Sequence, residues 1–365
     1  MLMIKPPYTE EYFQNLSLAV IQNDCEALKK MKMGKNSIVG IGLIPYYSLF
    51  CKEVETFFAE HITPCAIQNG SPFSLDDTRA KLKLFNGKYR KMSRYITAID
   101  AAQDEIFKSR LRFNFLKWIN ANYNLGIYFD EQSNIIGNTQ YFHSMFQGKH
   151  PVSQDLAGSD LYTFGLYIGQ TIKAISDTLS TFYPAPCVQV NDVKFTFYYL
   201  DCNTNRTAFF ALNAEKSLEL LLLHILGSIN FALCVIERII PDNLWKLRVQ
   251  YICMYYAHQQ LRQLSERLTD SHDVHKLSYC ISSTAPIFNS DFRSCMMHYS
   301  FIKGGQPIIG EQYLNVNLPF FGLIETCFDG MSYYELQRQI SANLQLMSDR
   351  LMESCVVKRG HLKKL

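Results

Sequence analysis

The chain has 365 residues, 48% hydrophobic and 13% aromatic, with a formal net charge of +3 at pH 7. That length admits two or three domains, and so much apolar material excludes an intrinsically disordered chain in favour of one with a sizeable core. A charge of +3 gives no whole-molecule field that demands a polyanionic partner, so any nucleic-acid surface has to be local.

Apolar residues recur at helical spacing over 9–32 and 45–62. Between them, the connector 33–42 carries Gly34, Gly40 and Gly42 and reads as a turn or short buried strand. It lacks the Gly-Lys-Ser/Thr ending of a phosphate loop. Ser74, followed by Asp76 and Asp77, caps a helix that runs to about Phe85, where Asn86-Gly87 interrupts it. A longer helix is expected from Tyr89 to Tyr123. Between 81 and 117 ten basic residues face three acidic ones, a local +7 that leaves −4 for the rest of the chain. Lys88, Arg90, Lys91, Arg94, Arg110 and Arg112 are therefore candidate phosphate contacts for RNA, set against the plainer reading of a solvated helix face.

Residues 126–137 read as a small hairpin turning at Asp130–Asn134. A helix over 159–182 ends before Pro184 and Pro186. The alternation in 193–200 predicts a strand that Asp201–Arg206 turns back into a second strand over 207–212. The expected organisation is a mainly helical segment 1–186, a β-hairpin insert or boundary at 187–212, a helical bundle over 213–357 and a basic tail, 358–365.

Within the bundle one helix runs to Ile240, Pro241-Asp242-Asn243 makes a corner, and a second helix over 244–268 is expected to pack antiparallel to it. Glu219, His224, Glu237 and Arg238 interrupt the apolar run 218–240, which makes a buried amphipathic helix the better reading than a membrane span. A polar linker follows, and the turn and capping residues of 283–291 start a short helix at Phe292. Ser332 and Glu335 form a capping box that opens a last helix over 332–356. Eleven cysteines lie scattered without a C-x-x-C pair and read as reduced core residues. His272, His275 and Cys280 make the one close His/Cys grouping and read as linker, so no metal or other cofactor is expected. The N-terminus lacks the features of a secretory signal, and a cytoplasmic protein with no membrane association is expected.

The short helix holds the chemistry. Phe292-Arg-Ser-Cys-Met-Met-His-Tyr299 supplies an imidazole that can move protons near neutral pH and a guanidinium that can hold a phosphate. Arg267 and His272 repeat the spacing by coincidence, so spacing alone decides nothing. The order of two long helices, a capped short helix with Arg293, Ser294 and His298, and a final helix resembles the HEPN superfamily of helical ribonuclease domains. In that family an Arg followed after four to six residues by His lies near the start of the third or fourth bundle helix. Asn is commoner where this chain has Ser294. The resemblance covers about 213–357 and leaves 1–212 unassigned.

That resemblance implies a mainly α fold and a metal-independent endoribonuclease that cleaves through the RNA's own 2′-hydroxyl. It implies His298 as general acid/base and Arg293 as the stabiliser of charge on the phosphorane, with Ser294 and Tyr299 as auxiliary hydrogen-bonders. Residues five apart sit about 140° apart around a helix. The family's solution is a homodimer with a composite site, often in toxin–antitoxin or antiviral defence systems, with an antitoxin or sensor as partner. The alternatives are a noncatalytic dimerisation or nucleotide-binding scaffold, and an RNA-binding protein that uses the 81–117 stretch.

Overall fold

The computed structural model describes residues 9–31, 37–61, 74–83, 87–109, 122–145, 158–181, 186–212, 214–268, 271–284, 287–357 and 362–365. The fold is mainly helical, with one antiparallel four-stranded sheet and a two-stranded hairpin. In chain order the first half contains α1 (Glu10–Lys30), α2 (Ser37–His61), α3 (Leu75–Ala80) continued by a 3-10 turn at Lys81–Lys83, α4 (Tyr89–Ser109), β1 (Leu125–Phe129), β2 (Ile135–Asn138), α5 (Thr139–Met145), α6 (Gly158–Leu179) and β3 (Tyr198–Cys202). The second half contains α7 (Lys216–Asn230), prolonged by a π turn at Phe231–Ile236 as far as Ile239, then α8 (Leu244–Ser265), α9 (Ser271–Thr284), α10 (Ser290–His298), β4 (Ile302–Lys303), β5 (Gln306–Pro307), α11 (Leu323–Cys327), α12 (Tyr333–Ser354) and β6 (Lys363–Lys364).

Local signals place many of these ends. Thr9 caps α1, with Glu10 and Glu11 in its first turn and Lys29 and Lys30 in its last, each sign at the favourable end of the helix dipole. Asn243 caps α8 through the Trp245 amide at 2.7 Å. Ser332 and Glu335 form the reciprocal capping box of α12.

Three expectations need correction. The connector 33–42 is neither turn nor strand from Ser37 onward, because α2 begins there and runs through Gly40, Gly42 and Pro45. Packing overrides propensity at this point. A Cβ on Gly42 would lie 2.3 Å from the Phe231 ring, so the glycine lets α2 close onto the π turn. The stretch 207–212 is not the return strand of a hairpin. β3 pairs with β1 in the sheet order β2-β1-β3-β6, and Ala211 instead donates to the Ser354 carbonyl at 2.7 Å. Alternation marks a strand without specifying its partner. Finally, 271–284 is a helix packed on α8 and α12 rather than a linker, so the Arg/His helix is the fourth after residue 213. The expected helix over 89–123 is described to Ser109, and 110–121 lies outside the described residues.

Residues from Phe13 to Val357 belong to one contiguous hydrophobic core, so the segments before and after the sheet are packed together. Helices α7, α8, α9 and α12 pack on one another. The α7 helix with its extension is long and apolar enough to cross a membrane by composition, and 89% of its most apolar window is buried inside the protein. β2 lies directly on it. A Cβ on Gly227 would come 3.0 Å from the Gly137 Cα. Across the core, Arg248 of α8 donates through Nε to Asp24 of α1 at 2.8 Å and through Nη1 to the Cys295 and Met296 carbonyls of α10. Tyr299 completes this knot by donating to Asp24 at 2.7 Å.

Candidate functional site around His298

Asn289 starts α10 by accepting from the Asp291 and Phe292 amides, both at 2.9 Å, and it donates to the Cys327 carbonyl. Tyr299 ends the helix in a left-handed conformation with φ of 54°. Phe292, Cys295, Met296 and Met297 face the core, which leaves Arg293 and Ser294 half-buried and His298 exposed at the C-terminal end.

His298 Nδ1 lies 2.9 Å from Glu53 Oε2 on α2, and the two side chains are 46% and 6% exposed. A carboxylate accepts, so in the neutral ring the proton sits on Nδ1 and Nε2 is left as the basic nitrogen. Glu53 also holds the Arg79 guanidinium of α3 through its other oxygen, and Arg79 Nε lies 3.5 Å from Asp76. The 3-10 turn that continues α3 brings in Lys83 and packs against α8. From α10 itself, the Arg293 guanidinium rests over the rings of Tyr255 and Tyr256 of α8, with centroids at 5.6 and 5.5 Å. Its Nε is buried and makes no hydrogen bond among the described residues.

The electrostatics place these groups in one neighbourhood. The His298 pKa is pushed below the ordinary imidazole value by burial first, then by Arg79, Arg293 and Lys83. Lys83 is likewise lowered by burial, then by Arg293 and Arg79. Burial raises the Tyr256 hydroxyl, and Arg293 and Arg79 oppose that rise. Arg79 and His298 thus share the buried Glu53 carboxylate, Arg79, Arg293 and Lys83 all act on the His298 ring, and among the described residues neither Lys83 nor Arg293 makes an ion pair. The arrangement can orient an imidazole, present its Nε2 toward solvent and hold an anion beside it.

Arg293 and His298 are therefore brought together within one chain, despite the 140° between them on the helix. α3 and its 3-10 turn supply cations that feel both. Tyr299 is not part of this group. It is 2% exposed, its hydroxyl is committed to Asp24, and burial raises its pKa far above the usual phenol value. Ser294 is half-buried on α10. Lys88, Arg90, Lys91 and Arg94 are exposed over the first turns of α4 and make no ion pair among the described residues, whereas Arg110 and Arg112 lie outside them. His275 is exposed on α9, and the side chains of His272 and Cys280 lie outside the described residues.

Sequence reasoning missed Glu53, Arg79, Lys83 and Tyr256. Glu53 left a signal, an acid placed among Phe50, Val54 and Phe57 on the buried side of α2, which calls for a basic partner. Lys83 sits in the basic stretch 81–117, which marks charge without placing it, and Arg79 left no signal, because nearness to α10 depends on chain packing. A scan of family models, a search of curated proteins and a search of solved structures found no match to the chain.

Proposed function

We propose that the protein is a metal-independent endoribonuclease of HEPN type, with His298 as general acid/base and Arg293 as the charge that stabilises the phosphorane. The observation that carries this reading is the carboxylate-oriented His298, its Nε2 free to face a substrate, set among Arg79, Lys83 and Arg293. In this reading Nε2 takes the proton of the RNA 2′-hydroxyl as its oxygen attacks the adjacent phosphorus. The 5′-oxygen then leaves with that proton, returned by the His298 imidazolium, and a 2′,3′-cyclic phosphate remains. Glu53 holds the ring and the cations carry the charge that builds on the phosphate oxygens.

The exposed cations of α4 supply a track for the rest of the strand. Lys88 is five residues from Lys83, a link that reaches at most about 18 Å. Lys88, Arg90 and Lys91 stand at the start of α4, where no acidic residue occupies the first turn and the helix dipole favours an anion. The catalytic groups come from one chain, so the homodimer implied by the resemblance would pair two such sites.

The test incubates the purified protein with mixed RNA in EDTA, beside His298→Ala and Arg293→Ala. Cleavage should survive chelation and fall at least about a hundredfold in each folded variant, the usual scale of a lost acid/base or charge contact. Undiminished cleavage in either variant would overturn the site, and RNA binding without cleavage would favour a scaffold role.

A further inference from the structure

We propose that Arg79, Lys83 and Arg293 form a binding site for a phosphate group, and that its occupancy drives proton uptake by His298. The inference rests on the ribonuclease reading only for the identity of that phosphate as part of an RNA backbone.

The charges do not balance without a ligand. Arg79 and His298 share the single carboxylate of Glu53, one on each oxygen, while Lys83 and Arg293 have no acidic partner among the described residues. With a neutral imidazole, Arg79, Lys83, Arg293 and Glu53 carry an excess of two positive charges, and Asp76 beside Arg79 is offset by Lys52, 3.4 Å from it. A terminal or free phosphate near pH 7 brings about 1.5 to 2 negative charges and three or more acceptor oxygens, and a backbone phosphodiester brings one negative charge and two free acceptor oxygens; both suit guanidinium forks and an ammonium. The Arg293 guanidinium rests over the Tyr255 and Tyr256 rings and has no acidic partner among the described residues, so no carboxylate competes with such a ligand for it.

His298 couples to this site through Glu53. The anion would cancel the three positive fields that keep a proton off the ring. As Arg79 turns toward the anion, Glu53 is left to the imidazole nitrogen 2.9 Å away, which favours the imidazolium. The proton comes from solvent and no covalent bond changes. Reciprocity then requires phosphate to bind more tightly as pH falls through the His298 titration. Other charged groups on the packed elements have partners of their own: Asp76 is ion-paired with Arg79 and with Lys52, Lys303 holds Asp291 at 2.5 Å, and Arg248 is paired with Asp24. Glu325 on α11, which also packs on α10, Glu55 and Glu60 on α2 and Asp77 on α3 are further acids on these elements.

The experiment follows the His298 ring resonance by NMR in the full-length protein over a pH series, with and without inorganic phosphate, and with chloride holding ionic strength constant. Saturating phosphate should raise the His298 midpoint by about one pH unit, a tenfold change in proton affinity. Lys83→Met and Arg79→Met should each weaken phosphate binding at least tenfold. Lys83→Met guards against misfolding, since Lys83 makes no ion pair in the described structure. A midpoint unmoved by phosphate, or moved equally by chloride, would overturn the proposal, as would unchanged affinity in a folded Lys83→Met. A short 2′-deoxy oligonucleotide, which cannot be cleaved by this route, separates the sources. Tighter and more salt-dependent binding than inorganic phosphate assigns the site to a nucleic-acid backbone, and equal affinity assigns it to a free phosphate ligand. Phosphate binding in a protein that fails to cleave RNA leaves the site standing and removes the ribonuclease reading.

Discussion

Burial and three neighbouring cations act on the His298 imidazole in the same direction, so its neutral form persists to lower pH than a free imidazole would allow. A general base tuned this way is ready at neutral pH. The acid limb of kcat/KM for RNA cleavage should therefore fall below the ordinary imidazole pKa of about 6.5. Lys83→Met removes one repelling charge and should move that limb upward, which a pH–rate profile reads directly. His224 tests the same physics where no catalysis is involved. It lies 1% exposed on α7 beside Tyr141, and burial pushes its pKa down to about 3. The unfolded chain takes up that proton near pH 6.5 and the folded chain does not, so stability is full above that pH and declines as pH falls toward 3. The slope is about 1.4 kcal/mol per pH unit from this one group. Replacing His224 with Leu should flatten the acid side of a Tm-versus-pH curve, and an unchanged slope would place the sensitivity elsewhere.

At the scale of elements, α10 owes its placement to its ends and to its core face. Asn289 closes the N-terminus, the left-handed Tyr299 closes the C-terminus, and Phe292 packs edge-on to Tyr251 at 4.6 Å. That anchoring carries Arg293 and His298 to the surface formed by α2 and α3. The α2 helix holds the other half of the pair, and its position depends on Gly42 meeting Phe231 in the π turn that prolongs α7. Gly42→Ala would gain helix propensity of about 1 kcal/mol. It would also place a methyl inside the Phe231 ring, and overpacking costs about 1–3 kcal/mol. The collision should win, so urea denaturation should show a net loss of stability. A stabilised variant would mean that the ring moves aside freely.

Across the whole molecule, the segment before β3 and the segment after it share one core, and their interface carries a buried charge pair. Asp24 and Arg248 are 0% and 2% exposed at the side chain, and burial raises the Asp24 pKa against the opposing pull of Arg248. Removing one partner of such a pair strands the other, at a cost of about 3–5 kcal/mol. Asp24→Ala should show that loss in denaturant titrations. It should also disturb α10, because Arg248 holds two of its carbonyls and Tyr299 loses its acceptor. His298 and Glu53 come from elements 245 residues apart in sequence, so the candidate site exists only when both segments are folded together.

The sequence by itself determined the long helices, the hairpin expected over 126–137, the caps at Ser74 and Ser332 and the presence of an Arg and a His on a short capped helix. Those features depend on neighbours three or four residues away, and local periodicity and capping chemistry report them faithfully. The tertiary structure alone decided that α2 runs through two glycines and a proline, that β3 pairs with β1, and that the polar stretch 271–284 is a helix. In each case packing outweighs local preference. It also decided that Tyr299 belongs to the core while Glu53, Arg79 and Lys83 belong beside His298. Charges act through space, and only the folded chain brings a carboxylate from α2 within 2.9 Å of an imidazole at the end of α10.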